Sequence, residues 1–319
     1  MKILSKLKIA FAIIALTSFT ISCNNDDDMP ADNTITGVAK SNSNLTILVQ
    51  ALTKAKLAGT LQGVGPFTVF APTDAAFVAF LKTTPWATLN DVPDAVLTQI
   101  LLNHVVSGKV KSTDLSTGYV KTLATSATSG MNTMSMYVDI TSGVKLNGVA
   151  KVVPNGADII ASNGVIHVVD AVINLPNVVT HATANTSFTS LVGALTKAGQ
   201  PNFVSILSGT GPFTVFAPTN DAFTAFNIEL APGGIAGVSA ANLTKVLQYH
   251  VANGNVLAAS LMDGQIVSTL QIPQKFTIQL TGGAKIKDVN NRISTIVATD
   301  VQCSNGVIHI LNKVLLPTL

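Results

Sequence analysis

Two stretches of the chain are nearly identical: GPFTVFAPTDAAF at residues 65–77 and GPFTVFAPTNDAF at residues 211–223. In both, the apolar run FTVFA predicts a short buried strand, and the proline after it keeps the preceding alanine extended. Thr73 and Thr219 follow that proline and are good helix N-caps, because a threonine hydroxyl accepts a hydrogen bond from the first turn. Each stretch therefore predicts a strand, a fixed exit from it and the start of a helix.

The residue after the capping threonine differs between the two stretches. Asp74 occupies that position in the first, whereas the second has Asn220 there and Asp221 one place later. A carboxylate in the first turn of a helix is favoured by the helix dipole, but a catalytic carboxylate would keep its register in both copies. We therefore interpret Thr73, Asp74 and Thr219 as structural residues of a scaffold.

The repetition extends over most of the chain. Three further pairs of stretches recur in the same order: LTILVQALTKAKL (45–57) with FTSLVGALTKAGQ (188–200), LLNHVVSG (101–108) with LQYHVANG (247–254), and SNGVIHVVDAVINLP (162–176) with SNGVIHILNKVLLP (304–317). The two opening stretches lie 146 residues apart, which is far longer than the unit of a solenoid. The pattern predicts two complete domains in tandem, at residues 34–176 and 178–318.

Each copy predicts helices first and strands second. An apolar stripe at helical spacing precedes Gly108 in the first copy and Gly254 in the second. The stripes are Leu97, Ile100, Leu101, His104 and Val105, and Leu243, Val246, Leu247, His250 and Val251. Asn-Gly pairs follow and predict hairpins with type I′ turns, whose two central residues need positive φ. We therefore expect α+β domains, with helices on one side or end of an antiparallel β-sandwich or wedge.

The first 22 residues have the pattern of a secretory signal. Three lysines precede an apolar run at residues 9–19, which is too short to span a bilayer comfortably. Cys23 follows at once, and this arrangement resembles a bacterial lipobox, whose cysteine receives a diacylglycerol. The polar and acidic residues 23–33 then predict a flexible tether. The pattern predicts secretion across the inner membrane and anchoring in the cell envelope at the outer membrane, with the acidic run favouring surface exposure.

Charge and cysteine content narrow the class of protein further. The net charge of +3 is carried by the three lysines of the signal, so the remainder has no net side-chain charge. Without basic clusters there is no electrostatic case for nucleic acid. If Cys23 is acylated, Cys303 has no partner for a disulfide. We expect Cys303 to be a small buried hydrophobic residue.

Sequence motifs of common catalytic and metal sites are missing from the sequence. It contains no GxSxG, no HExxH, no Walker loop and no cysteine–histidine quartet for zinc. We therefore expect no catalytic residues, no metal and no cofactor, and do not expect an enzyme. A hydrolase on an unusual scaffold is a remote alternative. It would have to gather His104 or His250 with an acid and a nucleophile.

Four of the five histidines form two repeated pairs. His167 and His309 lie within the apolar stretch VIH, where a hydrogen-bonded structural histidine is expected. His104 and His250 lie at the end of the apolar stripes. Two interpretations of this second pair remain open: core histidines that hold the helix to the strands, or part of an adhesive surface. His181 lies near the domain boundary and has no counterpart.

These motifs together resemble the fasciclin-like domain family. TVFAPTDAAF resembles its first conserved block, the helix ending in Tyr-His its central motif, and SNGVIHVVDAVINLP its second block. The resemblance covers nearly all of the chain after the signal, and it implies a β-wedge or sandwich carrying a cluster of helices. The Tyr-His region, linked to receptor binding in animal members, falls on Tyr249 and His250. The first copy departs from it, because Asn103 precedes His104.

The resemblance implies a protein of the cell surface that binds other surfaces. We expect a lipid-anchored envelope protein whose two domains mediate adhesion to cells, matrix proteins or polysaccharide. Two tandem copies would raise avidity if both engaged the same surface. The alternative is a passive module that docks envelope partners and contacts no external ligand.

Overall fold

A computed structural model describes residues 32–319 of the protein. The predicted signal, Cys23 and all but the last two residues of the predicted tether lie outside the described residues. Within residues 32–319, no helix combines the length and the apolar composition needed to cross a membrane.

The first copy, called domain 1 here, places its helices before most of its strands. Its helices are α1 (Ile35–Ser41), α2 (Thr46–Lys54), α3 (Ala58–Gln62), α4 (Asp74–Lys82) and α5 (Asp94–Leu102). Its strands are β1 (Phe67–Pro72), β2 (Val105–Ser107), β3 (Gly118–Lys121), β4 (Ser135–Asp139), β5 (Lys145–Leu146), β6 (Ala150–Lys151), β7 (Ile159–Ala161) and β8 (Gly164–Val169).

The second copy, domain 2, repeats this order. Its helices are α6 (Val178–Ala184), α7 (Thr189–Leu195), α8 (Phe203–Leu207), α9 (Asn220–Glu229) and α10 (Ala240–Tyr249). Its strands are β9 (Phe213–Pro218), β10 (Val251–Asn253), β11 (Ile266–Ser268), β12 (Lys275–Gln279), β13 (Lys285–Lys287), β14 (Ile293–Cys303) and β15 (Gly306–Leu311).

The strands of each domain form a wedge. Domain 1 has two sheets, ordered β2-β1-β8-β7 and β3-β4-β5-β6. In domain 2 the long strand β14 joins the two halves into one sheet, ordered β10-β9-β15-β14-β13-β12-β11. Helices and strands together confirm the predicted α+β class.

The expectation of a wholly antiparallel set of strands is wrong at one place in each domain. The opening strand β1 pairs in parallel with the last strand β8, and β9 pairs in parallel with β15. A parallel pair needs a long connection between its strands. The opening strand comes early, and the helices and remaining strands between the two partners supply that connection.

Each domain buries apolar side chains on both sides of its central strands. In domain 1 the helices cover one side, with Leu48, Phe77 and Leu97 in that core. On the other side Phe70 and Met136 join the two sheets. Domain 2 has the same two cores. Each domain thus supplies most of both cores, and Tyr119 of domain 1 also packs against the helix-side core of domain 2.

The opening stretch binds the helix layer together. Thr73 caps α4 by accepting a hydrogen bond from the backbone N–H of Ala76. Asp74 reaches sideways, and its carboxylate accepts from the backbone N–H of Ile47 at 2.7 Å and from the hydroxyl of Thr46. Helix α2 has no side-chain cap of its own. Asp74 therefore caps the neighbouring helix.

Asn220 makes the equivalent contacts in domain 2. Thr219 caps α9 through the backbone N–H of Ala222. The amide oxygen of Asn220 accepts from the backbone N–H of Ser190 at 2.9 Å and from the hydroxyl of Thr189, both at the start of α7. Because an aspartate and an asparagine both present an acceptor oxygen here, the exchange between copies preserves the cap.

We predict that Asp74→Asn changes the unfolding free energy by less than about 0.5 kcal/mol, because the acceptor oxygen is kept. Asp74→Ala removes it and should cost about 1–2 kcal/mol, as for other lost helix caps. Urea unfolding followed by circular dichroism measures both. Asn220→Asp is the matched control in domain 2 and should also be nearly neutral. An equal loss in Asp74→Asn and Asp74→Ala would show that charge matters and the cap does not.

The SNG stretches form hairpins, but not with the predicted turn. Ala161 pairs with Gly164 and Cys303 pairs with Gly306, so the loop residues are the serine and the asparagine. Neither Asn163 nor Asn305 has a positive φ. The glycine is needed because a Cβ at Gly164 would lie 2.1 Å from the Phe67 carbonyl oxygen of the neighbouring parallel strand. Gly306 approaches Phe213 in the same way.

The asparagine of each SNG stretch clamps two helices. Asn163 accepts from the backbone N–H of Ile35, at the start of α1, and donates to the carbonyl of Leu61 in α3. Asn305 accepts from Val178, at the start of α6, and donates to Leu207 in α8. The repeated motif therefore joins the hairpin to the helix layer in both domains.

Candidate functional site

His104 and His250 lie where a helix ends and the chain turns into a strand. The predicted helical stripe is too long in both copies, because α5 ends at Leu102 and His250 is the C-cap of α10. The ring Nδ1 of His104 donates to the Ile100 carbonyl at 2.7 Å, and Nδ1 of His250 donates to Val246 at 2.7 Å. The ring thus supplies a side-chain donor to a carbonyl of the last helical turn.

The second ring nitrogen of each histidine holds the segment that follows the last strand. Nε2 of His104 accepts from the backbone N–H of Ile173 at 2.8 Å, and Nε2 of His250 accepts from Leu315 at 2.9 Å. Both side chains are buried, and both ring nitrogens are used. Neither ring contacts a carboxylate or a hydroxyl through these bonds, so no general base is paired with a nucleophile or an acid here.

Burial also fixes the charge of these rings. It lowers the pKa of His104 and of His250 to about 4, because the low-polarity surroundings disfavour the imidazolium. Both are therefore neutral at pH 7. This matches the hydrogen bonds, in which one nitrogen donates and the other accepts.

Asn103 and Tyr249 occupy the same position before the histidine, but they bind different partners. The amide of Asn103 donates to the carbonyls of Ile173 and Asn174. The hydroxyl of Tyr249 instead donates to the Lys275 carbonyl at 2.8 Å, at the start of strand β12. Both side chains are buried. The four residues of the predicted adhesive or structural motif are thus enclosed in the fold, where an approaching ligand does not reach their side chains.

His167 and His309 have one geometry in both domains. Nε2 of His167 donates to the Val110 carbonyl and Nε2 of His309 to the Val256 carbonyl, each at 2.9 Å. Each ring also stacks on the second phenylalanine of the opening strand, Phe70 or Phe216, with centroids 5.5 and 5.4 Å apart. These contacts hold the loop after the second strand against the sheet.

The junction between the two domains is a site that the sequence patterns do not reveal. The Lys121 ammonium of domain 1 donates to the Asp300 carbonyl of domain 2 at 2.7 Å. The hydroxyl of Ser135 accepts from the backbone N–H of Gln302 at 3.0 Å. The hydroxyls of Ser126 and Thr128 both donate to the Ser304 carbonyl. One face of domain 1 therefore docks on the β14–β15 hairpin of domain 2.

An aromatic contact completes the junction. Tyr119 on β3 packs edge-to-face on His181 of α6, with ring centroids 5.3 Å apart, and its hydroxyl accepts from the amide of Asn185. His181 is buried, and its ring nitrogens have no hydrogen-bond partner among residues 32–319. Burial lowers its pKa to about 3. The sequence signal for this site was available, since His181 is the histidine without a counterpart.

Cys303 lies in the apolar core of domain 2. Cys303 is a buried free thiol, as predicted, and burial raises its pKa. Among the described residues, no group of three histidine, cysteine, aspartate or glutamate side chains is placed to hold a metal ion.

Comparison with known proteins identifies the repeated unit. The fasciclin domain matches residues 43–176 and again residues 186–317, so the two matches cover most of the chain. The chain belongs to the fasciclin-domain family. A solved fasciclin domain pair from the insect cell adhesion molecule Fasciclin I has the same fold, with a TM-score of 0.54 and 18% identity. That likeness covers 86% of this chain and 98% of the solved one.

Relatives of the fasciclin domains occur in distant organisms. Protein sll1735 of Synechocystis sp. is 37% identical over 144 residues, which is 44% of this chain and 98% of that protein. Human periostin is 28% identical over 270 residues, 82% of this chain but only 30% of periostin. The chain thus aligns with nearly the whole of one relative and with less than a third of the other.

Proposed function

We propose that this protein is a lipid-anchored protein of the cell envelope whose fasciclin pair binds other surfaces, such as cells, matrix proteins or glycans. The observation that carries the proposal is the tandem pair itself, which has the fold of a domain pair from an insect cell adhesion molecule. The signal-like residues 1–22, Cys23 and the acidic run after it support the anchor.

The burial of the Tyr-His region restricts where a ligand can bind. Tyr249 and His250 hold α10 to neighbouring segments, so ligand contact at that region would require the domain to open. Exposed side chains of the loops and sheet edges are available without that cost. We therefore propose that adhesion uses the exposed surface of the two domains and that the Tyr-His region acts only as support.

Adhesion is tested with a strain that lacks the gene, complemented by the wild-type gene or by the Cys23→Ala gene. We expect attachment to protein-, polysaccharide- or cell-coated surfaces to fall on deletion and to return with the wild-type gene. Cys23→Ala should release the protein from the membrane fraction and should not restore attachment. Equal attachment of all strains to every surface would overturn the adhesive function, and full membrane retention of Cys23→Ala would overturn the anchor.

A further inference from the structure

The domain junction uses one face of domain 1 and a different face of domain 2. The face that domain 1 contributes consists of β3, β4 and the loop between them, and it is called the donor face. The name marks the side of the junction and not the direction of every hydrogen bond. The acceptor face of domain 2 consists of the β14–β15 hairpin and α6. Because the domains are copies of one fold, domain 2 also has a donor face and domain 1 also has an acceptor face. Neither of these takes part in the junction.

The donor face of domain 2 can be located residue by residue. Leu123 donates its backbone N–H to Val105, and Leu270 donates to Val251, so β3 and β11 follow the same course. Tyr119 lies four residues before Leu123, and Ile266 lies four residues before Leu270. Ile266 is thus at the position of Tyr119, the aromatic anchor of the junction, yet it is 65% exposed.

The loop after β11 adds a second exposed aliphatic residue. The corresponding loop of domain 1 carries Ser126 and Thr128, which bind domain 2. The loop of domain 2 is shorter and presents Ile272, which is 81% exposed. Ile266 and Ile272 both line a cleft of about 550 Å³ beside β11. The free donor face is therefore concave and partly apolar.

The free acceptor face of domain 1 has aliphatic residues at positions where the acceptor face of domain 2 has polar residues. Ile160 and Gln302 are each two residues before the serine of an SNG stretch. Gln302 is fully buried in the protein, whereas Ile160 is 53% exposed. Val38 is the fourth residue of α1 and corresponds to His181 in α6. Aliphatic side chains thus replace the polar groups of the junction on the free face.

Opposite charges flank these aliphatic residues. Lys275 of domain 2 corresponds to Ser135 of domain 1. Each is the partner of the last residue of the preceding strand, Ser268 in domain 2 and Lys121 in domain 1. Asp158, which corresponds to Asp300, lies two residues before Ile160. Domain 1 of a second molecule could dock on the donor face of domain 2 in the same way as domain 2 docks on domain 1 within one molecule. Lys275 and Asp158 would then lie near each other. Opposite charges across an interface favour the correct register.

We propose that a second copy of this chain docks head to tail, with Ile266 and Ile272 of one molecule against Val38 and Ile160 of the next. This contact would repeat, between two molecules, the junction that joins the two domains within one molecule. It is heterologous, because it uses a different face of each molecule. Such a contact builds linear chains of molecules unless the chain closes into a ring. Ile160, Ile266 and Ile272 are exposed, Val38 is half-buried, and Ile266 and Ile272 share one cleft; exposed apolar patches mark sites of protein association. The inference does not depend on an external ligand and goes beyond the proposed adhesive function.

Single substitutions can disrupt the donor face and the acceptor face separately, so the contribution of each face to association can be measured. The secreted chain is purified with Cys23→Ala to keep it free of lipid, and its association is measured by sedimentation velocity up to about 1 mM, the range of weak contacts. We expect concentration-dependent oligomers larger than dimers. Ile160→Asp and Ile272→Asp should each weaken association at least about 10-fold, since a buried charge without a partner opposes docking.

Mixing the two variants distinguishes a head-to-tail contact from a symmetric one. Ile160→Asp keeps an intact donor face and Ile272→Asp keeps an intact acceptor face, so the mixture should form dimers that do not grow. Ile228→Asp is the matched control, because Ile228 is 73% exposed on α9, outside both faces; it should associate like the parent. A monomeric parent protein, an equal effect of Ile228→Asp, or no dimers in the mixture would overturn the proposal.

Discussion

His250→Ala is expected to lower the unfolding free energy of domain 2 by about 4 kcal/mol. The substitution removes two buried hydrogen bonds, one to the Val246 carbonyl and one from the Leu315 N–H. A buried backbone group left without its partner costs about 1–3 kcal/mol, and the cavity left by the ring adds to this loss. Because a domain is stable by only about 5–15 kcal/mol, the substitution should remove a large part of that stability and lower the denaturant concentration at the unfolding midpoint.

Guanidinium unfolding followed by far-ultraviolet circular dichroism measures this loss. His104→Ala is the matched variant in domain 1 and should cost a similar amount, because its two bonds are the same. His250→Gln retains a donor and an acceptor on one side chain, and we expect it to lose only about half as much. A loss below about 1 kcal/mol in both alanine variants would contradict the structural role of the rings.

Attachment assays of these histidine variants and of Tyr249→Phe distinguish a structural role of the Tyr-His region from direct contact with a ligand. If Tyr249 and His250 bound an external ligand, Tyr249→Phe would reduce attachment while the domain stayed folded. In the structure Tyr249 donates its hydroxyl to Lys275 inside the fold. We therefore expect attachment to follow the folded fraction of each variant and to show no separate dependence on the Tyr249 hydroxyl.

The sequence predicts those parts of the fold that depend on neighbouring residues. The strand, the proline and the Thr73 cap follow from neighbouring residues, and the second copy supports each of them. The end of α5 could not be predicted in this way. His104 and Val105 continue the helical spacing, but Val105 pairs with Val69 of the opening strand. A long-range strand pair overrides the local pattern there, and the sequence alone does not display that pair.

The junction between the domains could not be predicted from the sequence for a related reason. Most of its hydrogen bonds join residues that are far apart in the sequence, such as Ser135 with Gln302, and many end on backbone groups that carry no sequence signature. The repeat itself held a usable clue. Positions such as His181 and Val38, or Gln302 and Ile160, differ in polarity between copies that otherwise agree. Such differences mark surfaces whose surroundings differ between the two domains.

Acidification from pH 7 to pH 5 is expected to destabilise the protein strongly through its buried histidines. The folded-state pKa is about 4 for His104 and His250 and about 3 for His181, whereas an unfolded histidine has a pKa of about 6.5. Between these values the unfolded state binds more protons, so stability is fully present above about pH 6.5 and falls as the pH drops. Each of the three should contribute a loss of about 2 kcal/mol by pH 5.

The pH window distinguishes these histidines from the carboxylates. Asp94, Asp139 and Asp158 also have lowered pKa values, owing chiefly to hydrogen bonds with Lys54, Thr141 and Ser112. Those contributions are lost only as the pH falls through the lowered carboxylate pKa values, well under pH 5.

His181→Phe tests the assignment of the acid sensitivity to His181, because phenylalanine keeps the edge-to-face contact with Tyr119 and cannot bind a proton. The loss between pH 7 and pH 5, measured by guanidinium unfolding, should then shrink by about 2 kcal/mol. A loss of unchanged size would show that His181 is not a source of the acid sensitivity, and a flat profile in the parent protein would exclude all three histidines.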